Sequence, residues 1–272
     1  MRAGWYDRPG PADEVITVGE MDCPEPHPEE VLVRVHASGI NPSDYKRRAN
    51  AKTGMEFTRI VPHSDGSGVV AALGAGIQGL REGDRVWVYN AQWRRPFGTA
   101  AEFVSLPSHQ VRPLPGNLNF VEGACLGIPA MTGFRAVQLC APVRGKTVYI
   151  PGATGRVGAY ALQFAMLGGA RVIVSTGNGS SSAEELKTLG ADIVLDRNRP
   201  DLESALLSAA GQSGVDAIID VKLGENIGVD ERVIAENGVH RFFWRGESAF
   251  APDIIVGTAR AMSRFTLSLS IS

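Results

Sequence analysis

The chain has 272 residues, 44% of them apolar, and a formal charge of −2, enough for a sizeable core in one large or two ordinary domains. Mixed charge of this kind excludes a strongly basic nucleic-acid surface, and clusters such as Lys46-Arg47-Arg48 and Arg94-Arg95 read as solvated turns. No apolar run reaches the ~18 residues of a membrane helix, no signal peptide is evident, and the three scattered cysteines, Cys23, Cys125 and Cys140, suggest a reducing, cytoplasmic setting.

The first half reads as strands. Residues 31–37 alternate apolar and polar positions, as a half-buried strand does, and residues 39–44 break it with turn chemistry. Further strands are expected at 65–74, 83–89 and 98–104, each flanked by glycine. Short strands with this punctuation predict a small β-barrel. Residues 113–117, Pro-Leu-Pro-Gly-Asn, read as the crossing into a second domain, which sets the expected domains at 1–117 and 118–272.

The second half alternates strand and helix. A buried strand at 147–151 runs into Gly152-Ala153-Thr154-Gly155-Arg156-Val157-Gly158, then an apolar helix at 159–167 and a strand at 171–175. Strand, glycine turn, helix and strand form the unit that holds a dinucleotide pyrophosphate on a helix N-terminus. Ser181 and Ser182 each open a capping box for a helix to Leu189. Strands at 192–195, 217–221, 239–244 and 265–271 follow, with helices at 200–210, 229–235 and 254–264 between them. The expected fold class is α/β: a barrel followed by a Rossmann doubly wound, six-stranded parallel sheet.

Six stretches, in order, resemble the zeta-crystallin-type quinone oxidoreductases, a branch of the medium-chain dehydrogenase/reductase superfamily. They are Ser38-Gly-Ile-Asn-Pro-Ser-Asp44, Pro62-His-Ser-Asp-Gly-Ser-Gly-Val-Val70, Gly83-Asp-Arg-Val-Trp87, Gly98-Thr-Ala-Ala-Glu102, Gly127-Ile-Pro-Ala-Met-Thr132 and Gly152-Ala-Thr-Gly-Arg-Val-Gly158. The resemblance implies a GroES-like first domain, hydride transfer from a nicotinamide cofactor, and a homodimer through the sixth Rossmann strand. It also implies a C-terminal return to the first domain that this sequence does not contain. By the same resemblance Asn41 and Tyr45 should face nicotinamide or substrate, with Lys46 the alternative to Tyr45, and Thr132 should reach the nicotinamide carboxamide. Tyr89, Gln92 and Trp93 are candidates for an aromatic substrate wall.

Cofactor residues are expected at Gly152, Thr154, Gly155, Arg156, Val157 and Gly158, where glycines permit the tight turn and close backbone approach. The end of the second Rossmann strand carries Ser175, Thr176 and Gly177, with no acid before Glu184 to bind ribose hydroxyls. That favours NADPH over NADH, with Arg197 or Lys187 as countercharge. Zinc is not expected. Positions that hold metal in related alcohol dehydrogenases carry Asn41 and Ser64, and His63 is one residue out of register. A substrate that accepts hydride unaided, a quinone or an activated α,β-unsaturated carbonyl, follows. An enoyl reductase acting on acyl thioesters and a catalytically weak NADPH-binding protein remain open alternatives.

Overall fold

A computed structural model describes residues 1–50, 54–177, 179–211, 213–244 and 253–257. The chain divides into two compact units, Met1–Met131 and Thr132–Ser272; residues 113–117 fall within the first.

The first unit opens with a small antiparallel pair, β1 (Arg2–Trp5) and β2 (Thr17–Glu20), with a short helix α1 (Ala12–Val15) between them. Then come β3 (Glu30–Gly39), α2 (Pro42–Ala49), β4 (Asp65–Leu73), β5 (Arg85–Val88), β6 (Phe103–Pro107), β7 (Val111–Pro113) and α3 (Phe120–Gly123). The strands after β2 form a five-stranded antiparallel sheet in the order β6-β3-β4-β5-β7. Its core is a valine-rich layer that includes Val31, Val33, Val70, Val86, Val88, Val104 and Leu106. Alternation along β3 and β5 puts these residues on one face, and each buried valine or leucine contributes roughly 1.5–3 kcal/mol.

Two expectations fail here for local reasons. Residues 98–102 are not a strand. Their amides bond irregularly across the 61–63 segment, Gly98 N to Val61 O at 2.7 Å and Thr99 N to His63 O at 3.0 Å, so regular pairing starts only at Phe103. The turn expected at 39–44 becomes a helix from Pro42, because Asn41 and Asp44 form a reciprocal capping box and Pro42 sits at the first helical position.

The second unit begins on α4 (Met131–Leu139) and continues β8 (Thr147–Pro151), α5 (Arg156–Leu167), β9 (Arg171–Thr176), α6 (Gly179–Thr188), β10 (Ile193–Asp196), α7 (Leu202–Ala210), β11 (Val215–Asp220), α8 (Leu223–Val233), β12 (Ile234–Trp244) and β13 (Asp253–Gly257). The sheet order is β10-β9-β8-β11-β12-β13, the dinucleotide-fold arrangement with a strand-order reversal beside β8. Apolar layers cover both faces. Val148, Ile150, Val172, Val174 and Ile219 pack on the α5 side, and Tyr149, Ile173, Ile218 and Leu206 on the other.

Five strands are parallel, but β13 pairs antiparallel to β12, His240 opposite Gly257 and Trp244 opposite Asp253. Residues 253–257 therefore form a strand where a helix from Ile254 was expected, as the β-branched Ile254-Ile255-Val256 favours. The strand expected at 265–271 lies outside the described residues. The helix expected at 229–235 is displaced: α8 runs from Leu223 to Val233, and the chain is already extended at Ile234. Helix α6 starts at Gly179, so Ser181 and Ser182 lie inside it instead of capping it.

Candidate functional site

In the first unit, Asn41 is buried at the start of α2. Its side-chain Nδ2 donates to Asp65 Oδ2 at 2.7 Å, and its main-chain N donates to Asp44 Oδ2 at 2.6 Å. The same Asp65 oxygen accepts from Ile128 N at 2.7 Å. Asp65 therefore ties β4 to α2 and to the turn at Leu126–Ala130. Its other oxygen, Oδ1, is buried and without a hydrogen-bond partner among the described residues. Burial pushes the Asp65 carboxyl up to about 7, against the pull of the Ile128 and Asn41 donors. Gly127 is required beside it, because a Cβ there would fall onto Asp65 Oδ1.

A second polar group lies alongside. Ser38 Oγ is 2.9 Å from His63 Nδ1 and 2.8 Å from Thr99 Oγ1, which donates to Asp65 O at 2.6 Å. Burial lowers the His63 pKa, favouring the neutral ring. Tyr45 is half-exposed on α2, 48% accessible. Of the candidate wall residues, Gln92 is buried and Trp93 exposed with Arg94 over its ring. The Tyr89 hydroxyl donates to His109 O at 2.5 Å.

In the second unit the glycine turn joins β8 to α5. Gly152 takes a left-handed φ of 66°, which a side chain would strain. Its N donates to Ser175 O at 2.9 Å, pinning the turn to the end of β9. A Cβ on Gly158 would sit 2.9 Å from Ala153 Cα, so this glycine is needed for close helix–strand packing. Gly133 plays the matching part on α4, where a Cβ would lie 2.9 Å from Ala161 N. Gly155 is the N-cap of α5 and supplies no side-chain cap. The first-turn amides of this twelve-residue helix have no intrahelical acceptor, and the helix dipole adds about half a positive charge there. Thr154, Gly155 and Arg156 are exposed around them, and Val157 is half-buried.

At the end of β9, Ser175 and Thr176 are buried. The Ser175 hydroxyl lies 2.8 Å from the buried Tyr149 hydroxyl, and the Ser175 carbonyl accepts from Gly152 N in the turn. Gly177 is exposed, and its missing side chain leaves room for Arg197, whose Cδ is 3.1 Å from where a Cβ would be. Arg197 N bonds to Thr176 O at 2.9 Å. Its guanidinium reaches Glu225 Oε2 at 3.2 Å, and the Lys222 ammonium lies 3.0 Å from Glu225 Oε1. Arg197 and Lys222 thus share one acid, Glu225, while Asp196 lies across from Thr176 in the β9–β10 ladder. Lys187 by contrast pairs with Glu184 at 2.9 Å on α6. Thr132 is half-buried in the first turn of α4.

The structure thus brings Asn41 together with Asp65 and Asp44, and Gly177 together with Arg197. Asn41 and Tyr45 belong to the first unit and Thr132 to the second. Asp65 and Lys222 were missed from sequence. An acid inside the glycine-flanked strand Asp-Gly-Ser-Gly was the available signal for the first; Lys222 had none.

Two family models match the chain, an alcohol dehydrogenase GroES-like domain over residues 27–116 and a zinc-binding dehydrogenase over residues 157–239. Quinone oxidoreductase of Rattus norvegicus is 32% identical over 220 residues, which cover 79% of this chain and 64% of the rat protein. A 2-methylene-furan-3-one reductase of Solanum lycopersicum is 30% identical over 240 residues, 84% of this chain and 61% of its own. A solved NAD-dependent alcohol dehydrogenase matches with a TM-score of 0.81 at 30% identity, over 89% of this chain and 77% of that one. The chain belongs to the medium-chain dehydrogenase/reductase superfamily, and its curated relatives include quinone oxidoreductases. It spans less than two thirds of the length of these two curated relatives. Among the described residues no helix is long and apolar enough to cross a membrane.

Proposed function

We propose that the chain acts in an oxidoreductase that moves hydride from NADPH to a quinone or another activated α,β-unsaturated carbonyl, without zinc. The observation that carries this reading is the uncapped first turn of α5 behind the glycine turn, at the strand-order reversal of the sheet. Two features fit a nicotinamide dinucleotide: free amides for the pyrophosphate, and the Arg197 guanidinium beside Gly177 with no acid on β9 itself. NADPH, when bound, supplies the hydride.

The chain's own residues hold and orient. Main-chain groups of Gly152, Thr154, Gly155, Arg156, Val157 and Gly158 take the pyrophosphate. Ser175, Thr176, Gly177 and Arg197 frame the ribose end, Arg197 supplying charge for a 2′-phosphate. The relative with the solved structure is described as NAD-dependent; here the lack of an acid and the presence of Arg197 favour the phosphate. Thr132 is assigned to the nicotinamide carboxamide, Asn41 and Tyr45 to the acceptor, within domains at 1–117 and 118–272.

A catalytic zinc does not fit the first unit. Asn41 turns its Nδ2, a donor, toward Asp65, and His63 Nδ1 is occupied by Ser38. No step is therefore routed through a metal, and the acceptor must already be electrophilic, as the names of the rat and tomato relatives suit. A homodimer belongs to the same proposal; sedimentation as a single chain would remove it. The central test is NADPH and NADH oxidation against a panel of quinones, enones and acyl thioesters. Saturable turnover of NADPH with a quinone or enone is expected. Tight NADPH binding without turnover on any acceptor would reduce the chain to a binding protein.

A further inference from the structure

Three side chains that can ligate a metal converge in the second unit, within the element set β11, α8 and β12. Asp220 ends β11, Asp230 lies in α8 and His240 in β12. One ligand atom from each lies within 4.8 Å of the other two. Asp230 Oδ2 is 3.1 Å from His240 Nε2. All three are sealed from solvent, at 0%, 0% and 1% exposure. His240 lies directly across from Ile218 in the parallel β11–β12 ladder, two residues before Asp220, so His240 and Asp220 share one face of the sheet.

The carboxylates are incompletely satisfied. Asp220 Oδ1 accepts from Lys222 N at 2.8 Å and Asn226 Nδ2 at 2.9 Å, which fixes the carboxylate plane. Its Oδ2 has no hydrogen-bond partner among the described residues, and neither has Asp230 Oδ1. An unmet buried acceptor costs about 1–3 kcal/mol, more when charged. Charge makes the same point. Two carboxylates and one imidazole sum to −1 even with the ring protonated, and an uncompensated buried charge is strongly unfavourable. An extra proton or a cation would relieve both.

We propose that Asp220, Asp230 and His240 form a buried site for one divalent transition-metal ion. Two carboxylates neutralise the ion, and the neutral ring offers Nε2 as a ligand. One imidazole nitrogen with carboxylate oxygens is a donor set for zinc, cobalt or manganese, whereas calcium and magnesium want six or more oxygens. The ion ties α8 to β11 and β12 and takes no part in hydride transfer, so the site stands whether or not the proposed reaction does. It differs from the positions that hold zinc in related alcohol dehydrogenases, which here are Asn41 and Ser64.

The full chain, unfolded with a chelator and refolded with Zn2+, Co2+ or Mn2+, should retain one equivalent of metal per chain after desalting. Its melting temperature should rise by several degrees over the metal-free protein. Refolded with Co2+ it should show visible ligand-field absorption. H240Q and D230N should each lose the retained equivalent. The proposal is overturned if wild-type chain refolded with all three ions keeps none and melts at an unchanged temperature, the result expected when a proton fills the site. It is equally overturned if both variants keep the metal as the wild type does. Should the variants fail to fold, retention and the cobalt spectrum of the wild type decide the matter.

Discussion

In the first unit the buried polar centre is made of side chains: Asp65 of β4, Asn41 and Asp44 of the α2 cap, with one main-chain amide from Ile128. In the second unit the candidate anion site is made of main chain, the turn from Gly152 to Gly158 and the open end of α5. The difference decides how each responds to substitution. A main-chain site tolerates most changes of its own side chains but fails when a side chain is added where only hydrogen fits. A side-chain site fails when a partner is removed or its charge altered.

The largest expected effect tests the main-chain site. Gly155→Asp places a carboxylate at the N-cap, where it would take up the first-turn amides and repel a diphosphate. NADPH affinity should fall by about a hundredfold or more, on the order of 3 kcal/mol, while the melting temperature holds or rises, since aspartate is a good N-cap. Titration of the variant with NADPH measures this directly; unchanged affinity would remove the pyrophosphate assignment.

The counterpart in the first unit is Gly127→Ala. The added methyl lands on Asp65 Oδ1, and neither the turn nor the buried carboxylate has room to yield. Overpacking of this kind costs about 1–3 kcal/mol, read as a lower denaturation midpoint. NADPH affinity should stay as it was, because the second unit does not use this contact. A variant as stable as the parent would mean the Asp65 cluster is loosely packed.

Arg197→Ala sharpens the reading of the Gly177 corner. Removing a partly exposed cation from a phosphate should weaken NADPH by about fivefold to tenfold, roughly 1 kcal/mol, and leave NADH within about twofold. Equal losses for both cofactors would mean that Arg197 supports the fold of this corner, not the phosphate.

The same contrast explains what could be read from sequence. Glycine at 152 and 158 records the turn directly, because a left-handed φ at the first and close packing at the second exclude other residues there. Most element positions of the second unit follow from local periodicity. The Asp65 cluster joins positions 24 and 63 residues apart, and Asp220, Asp230 and His240 meet only once β11 and β12 pair. No local pattern marks such partners. The contact between the Ser175 and Tyr149 hydroxyls is of the same kind, made only once β8 and β9 pair. Residues 253–257 misled because apolar periodicity in a short segment does not separate helix from strand.

The Asp65 carboxyl is raised from 3.8 to about 7 by burial. Between those values the folded chain holds a proton that the unfolded chain has released, so this group's favourable contribution is present in full below about pH 4 and is lost as pH climbs through 7. Asp65→Asn removes the titration while keeping an oxygen that can accept from Asn41 and Ile128. The stability difference between variant and parent should therefore move in the variant's favour by on the order of 3 kcal/mol from pH 4 to pH 8. Denaturant midpoints of the two proteins at both pH values measure it. A difference that ignores pH would show that Asp65 is ionised throughout, its burial offset by the donors of Asn41 and Ile128.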